Sequence, residues 1–133
     1  MNPKEILTSK FQHQKSNYII DNKLDKYIKK FIKDLNKNEN IVTLYSCEGT
    51  CGLYKKQKKN SHSLYPYFGF NVNEKTWDLL WTKVIPEIMT KVSIRVSTNC
   101  YKEVIFIHWV GGTKKEFWKV IFKVFNKYFK IND

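Results

Sequence analysis

Ile41-Val42-Thr43-Leu44-Tyr45-Ser46-Cys47-Glu48-Gly49-Thr50-Cys51-Gly52 is the stretch on which the fold class of this 133-residue chain turns. Its first five residues are β-branched, aliphatic or aromatic, the composition of a buried strand. From Ser46 the character changes to hydroxyls, thiols and a carboxylate. Gly49 and Gly52 permit backbone angles, or a close ligand approach, that other residues resist. The lysine-rich run Lys55-Lys56-Gln57-Lys58-Lys59 follows. Polar and reactive groups at the end of a hydrophobic strand are where α/β and α+β proteins commonly hold ligands. A tight turn with buried cysteines is the structural alternative.

Upstream, residues 1–22 show no helical or strand period and read as a partly ordered N-terminal arm, with His13 solvated. From Leu24 the pattern changes: Leu24, Ile28, Phe31, Ile32 and Leu35 recur at helical spacing, with lysines on the opposite face, until Asn36-Lys37-Asn38. Downstream, 64–72 reads as a second strand with Pro66 near its beginning or on an edge. Asn73 caps a helix whose apolar face is Trp77, Leu80, Trp81, Val84 and Ile85, and Pro86 breaks or kinks it. Strand three, 92–98, alternates Val92, Ile94 and Val96 with Ser93, Arg95 and Ser97. Strand four, 103–110, is apolar on both faces and therefore central. Thr113-Lys114-Lys115-Glu116 is a capping box that opens a final helix through Phe129. The expectation is an α+β domain over 23–133 in the order α-β-β-α-β-β-α, with helices packed on a four-stranded, mainly antiparallel sheet.

The net charge of +12 invites an anionic partner, nucleic acid included. Only Arg95 among the 24 basic residues is arginine, however, and the chain contains no alanine. Lys, Asn, Ile, Phe and Tyr are enriched together, as AT-rich codons produce, and lysine lacks the bidentate fork of arginine. No apolar run approaches the ~20 residues of a membrane span, and the N-terminus has no signal-peptide character. The three cysteines then point to a reducing compartment, and a soluble cytoplasmic protein with no membrane partner is expected.

Cys47 and Cys51, with His62 and Cys100 further on, lack the paired spacing of a zinc site, so no metal is expected. His62 and His108 on neighbouring strands would suit the acid and base of a phosphodiesterase acting on a cyclic nucleotide. Two-histidine phosphoesterases carry His-x-Thr/Ser twice; His62-Ser63-Leu64 and His108-Trp109-Val110 lack the hydroxyl. Glu48 could accept from a ribose diol, or from backbone N–H groups of a turn. Arg95, the sole guanidinium, could pair with phosphate or with Glu48. Tyr45, Tyr65, Tyr67 and Trp109 could stack a base or serve the core.

The Ser-Cys-Glu-Gly strand exit (46–49), a loop, and the aromatic strand YPYFGF (65–70) resemble small uncharacterised proteins encoded by phages and their low-GC hosts. Those usually carry His where this chain has Thr50. The resemblance implies a phage-type accessory protein in a bacterial host cell, of a sort that includes sequesterers of nucleotide immune signals. The expected function is thus non-catalytic binding of a small phosphorylated nucleotide, with a basic nucleic-acid-binding module as the alternative. Its expected ligand residues are Ser46, Cys47, Glu48, Gly49, Thr50, Lys55, Lys56, His62, Tyr65, Tyr67, Arg95 and His108, with no catalytic residue and no cofactor. Two aromatic stripes on the final helix exceed what one sheet face covers, which predicts a C2 homodimer, or else an arm folded over the surplus.

Overall fold

The computed structural model describes residues 2–19, 26–47 and 65–130. Helix α1 (Pro3–Ser16) precedes α2 (Lys26–Leu35), β1 (Ile41–Cys47) and β2 (Tyr67–Val72). A bent helix follows, α3 (Glu74–Leu79) running through a π-helical turn into α4 (Ile85–Met89), then β3 (Ile94–Asn99), β4 (Val104–Trp109) and α5 (Lys114–Phe129). From α2 onward the order is α-β-β-α-β-β-α, as the periodicities predict. The four strands form one antiparallel sheet in the order β1-β2-β4-β3. The strand read as apolar on both faces, β4, is indeed central.

One face of the sheet is the core. Ile41, Phe68, Phe70, Val72, Ile105 and Ile107 are buried beneath α2, α5 and the bent helix. Phe125 of α5 meets Phe68 and Phe70 edge-on, at centroid distances of 5.2 and 5.4 Å, the arrangement in which the positive ring edge faces a negative ring face. Capping follows the sequence: Asn73 Oδ1 accepts from Thr76 N at 3.2 Å and Thr113 Oγ1 from Glu116 N at 3.1 Å.

The structure corrects three expectations. Pro86 does not end its helix. Proline has no N–H to give Thr82, and the chain widens just before it, with Ile85 N–H reaching back to Leu80 O. The second correction concerns the arm, which is a helix. Asn2 and Glu5 bond reciprocally across its first turn, Glu5 N to Asn2 Oδ1 at 2.9 Å and Asn2 Nδ2 to Glu5 Oε1 at 2.8 Å, around Pro3 at the first helical position. Only Leu7 and Phe11 are buried on it, a stripe too sparse to show as a period.

Polar groups anchor α1 instead. Lys15 Nζ donates to the carbonyls of Asn36, Asn38 and Ile41 at 2.6–2.7 Å, tying α1 to the turn between α2 and β1. Burial lowers the pKa of this ammonium. Asn71, fully buried in β2, donates to Leu7 O at 2.7 Å and Gln14 Oε1 at 2.6 Å.

The third correction is the surplus apolar surface of α5. Phe117, Trp118, Val120, Ile121, Val124, Phe125 and Phe129 are all buried within the chain. The reason is that α5 is flanked on both sides: Phe122 packs on Phe31 of α2 at 4.5 Å, and Tyr128 donates to Glu87 of α4 at 2.7 Å. The surface from which a dimer was expected is therefore already used. The N-terminal segment does not supply the cover either, since α1 packs against β1 and β2.

Candidate functional site

Strand alternation splits the sheet into the core face and a second face, and α1 takes only part of the second. Val42, Asn71 and Val104 lie on its α1 end and are buried. At the other end the pairing register lines up one row across all four strands: Cys47 opposite Tyr67, Tyr67 opposite His108, His108 opposite Arg95. The next row runs Tyr45, Gly69, Phe106, Ser97. Three of the ligand residues expected from sequence, Tyr67, His108 and Arg95, are thereby cross-strand neighbours.

Tyr45 joins them because of a bulge. The register of β1 slips between Thr43 and Tyr45, so Leu44 has no partner and the alternation shifts by one. Regular alternation from Ile41 would send Tyr45 to the core face; the bulge puts it opposite Gly69, where it is 50% exposed. The same slip places Ser46 opposite Phe68, on the core face, away from the row in which it was expected.

Gly69 completes the surface. A Cβ there would stand 2.7 Å from Phe106 Cε1 and 3.1 Å from Val104 Cγ2. The missing side chain is what lets the Phe106 ring lie across β2. Tyr45 meets Phe106 at 6.0 Å, Tyr67 meets it at 5.9 Å edge-on, and His108 lies 5.4 Å away. The rings make a nearly continuous aromatic floor, and Lys102 joins Tyr45, Tyr67, Phe106 and His108 around a hollow of about 310 Å³.

His108 Nε2 and Ser97 Oγ are 3.3 Å apart, a pair whose proton position depends on the tautomer. Burial first, and the Arg95 guanidinium second, hold the imidazole below its ordinary value of 6.5, so it is neutral at pH 7. The sign is as follows. A base whose folded pKa is depressed gives stability that is complete above its unfolded value and is lost as pH falls towards the folded one. A proton-resonance titration of the histidines is expected to place His108 below 6.5, and Arg95→Met to raise it without reaching 6.5, because burial is the larger cause. A wild-type midpoint above 6.5 contradicts this environment.

The remaining expected residues divide. Tyr65 stacks on Trp109 at 5.2 Å and 14°, beside the row rather than in it. Cys47 is in the row by backbone register. Glu48, Gly49, Thr50, Lys55, Lys56 and His62 lie outside the described residues, so their places in the site, and the two-histidine pairing, are not part of this geometry. Cys100 is in the β3–β4 turn, at the opposite end of the sheet from Cys47. Among the described residues no group of three or more His, Cys, Asp or Glu is placed to hold a metal ion, and no helix is long and apolar enough to cross a membrane.

Sequence reasoning missed Phe106, Gly69, Ser97 and Lys102. The signal was present in Phe68-Gly69-Phe70, since a glycine between two phenylalanines mid-strand marks close approach by a neighbour. Comparison with family models, curated proteins and solved structures finds no match to this chain.

Proposed function

We propose that this chain binds a small phosphorylated nucleotide on the face formed by Tyr45, Tyr67, Phe106 and His108, and does so without transforming it. The observation that carries the reading is the cross-strand row Tyr67–His108–Arg95 set against the aromatic floor. Aromatic rings offer every base a π-face, worth roughly 1–3 kcal/mol per stacked base. The guanidinium of Arg95 is exposed and offers a fork that matches phosphate. Neutral His108 and the Ser97 hydroxyl can exchange hydrogen bonds with a base edge or a ribose. A hollow of about 310 Å³ is at the small end of ligand pockets and suits one nucleotide unit. The charge of +12 draws an anion to any such face. Holding the ligand intact is the chemistry of sequestration, and the phage-type resemblance gives that reading a setting.

Calorimetry against cyclic dinucleotides, ADP-ribose and mononucleotides tests the proposal. Saturable binding that Phe106→Ala weakens about tenfold or more is expected, from the stacking term alone. Ligand recovered after heat denaturation should be intact. No binding across the panel by folded protein overturns the reading, and recovery of cleaved product replaces it with a phosphodiesterase.

A further inference from the structure

The aromatic floor has a cation at each end. Lys102 belongs to the β3–β4 turn and lines the hollow from the side where β4 begins. Arg95 is on the edge strand β3 opposite His108, near the end of β4. Phe106 stands between these positions, two residues or roughly 7 Å along the strand from His108. Among the described residues neither Lys102 nor Arg95 is in an ion pair. A nucleoside monophosphate stacked on Phe106 presents an anion to one of these cations and leaves the other without one.

Resting on the nucleotide reading above, we infer that the ligand carries a phosphate on each side of its stacked base, as a 3′,5′-bisphosphorylated nucleoside unit. That unit occurs in a cyclic dinucleotide and at every internal position of a single strand. The base lies on Phe106 and Tyr67, one phosphate meets Arg95, and the other meets Lys102. Charge complementarity at both ends selects this unit over a mononucleotide, because each phosphate forms a charge-assisted contact that the other cannot reach.

Adenosine 3′,5′-bisphosphate, 3′-AMP and 5′-AMP, titrated separately by calorimetry, test the inference. The bisphosphate should bind about tenfold tighter than either monophosphate, the ratio that one added charge-assisted contact supplies. Arg95→Met and Lys102→Met should each bring the bisphosphate down to monophosphate affinity. Each should abolish the binding of a different monophosphate, and both side chains are exposed, so the fold is retained. Equal affinities for all three ligands overturn the inference and leave the nucleotide reading standing. Binding of none of them overturns both. Competition with cyclic di-adenylate and with a ten-residue oligoadenylate then distinguishes the two sources. Displacement by either supports the inference and identifies the source, whereas displacement by neither overturns it.

Discussion

Asn71→Leu is expected to cost about 3 kcal/mol of folding free energy, near the upper end for a single buried polar group whose partners stay behind. The side chain is fully buried, and both amide hydrogens are used, on Leu7 O and Gln14 Oε1. Its Oδ1 also accepts from Val72 N at 2.9 Å. Leucine has a similar volume, so the loss isolates the hydrogen bonds from a cavity term. What remains is a stranded Gln14 side chain and a helix held by Leu7, Phe11 and Lys15 alone. Urea denaturation gives the change in stability, and amide exchange in α1 should accelerate more than exchange in α5. A loss under about 0.5 kcal/mol, the range of ordinary surface substitutions, would mean that α1 is docked by its apolar contacts.

Gly69→Ala is expected to abolish most of the binding while leaving a folded protein. The new methyl cannot coexist with Phe106 Cε1 at 2.7 Å, and Val104 at 3.1 Å closes the other direction. The Phe106 ring must therefore swing off β2, at a cost in the range of roughly 1–3 kcal/mol typical of overpacking. Its movement also removes the contact that Tyr45 and Tyr67 make with it. With the floor broken, nucleotide affinity should fall about tenfold or more, the equivalent of one lost stacking contact. The double variant Gly69→Ala with Phe106→Ala relieves the clash. It should recover stability but not affinity, a combination that separates loss of the floor from loss of the fold. Recovery of binding in the double variant would show that Phe106 is a spectator.

The fold was largely readable because its signals are local. Capping at Asn73 and Thr113, the helical spacing from Ile28 to Leu35, and the two-sided apolarity of 103–110 each need only a short window of sequence. Helix α1 escaped because its anchors, Lys15 and Asn71, find partners 21 to 64 residues away in sequence, and no periodicity encodes such contacts. The burial of α5 was misjudged for a related reason: the number of helices flanking it is a property of the assembled layers. Within the site, Tyr67, Arg95 and His108 were identified by residue type, and the register that unites them became visible only when β2 was seen to pair with β4. Tyr45 depended on a bulge at Leu44, and one unpaired residue reverses the facing of everything beyond it.

Chemical-shift mapping of labelled protein titrated with 5′-AMP tests most directly whether this face is a nucleotide site. Stacking and phosphate contact should move the resonances of Tyr45, Tyr67, Gly69, Arg95, Ser97, Phe106 and His108, with ring-current shifts largest at Phe106, while the α5 side of the sheet stays unchanged. Shifts confined to any other surface, or no shifts at millimolar ligand, would contradict the account.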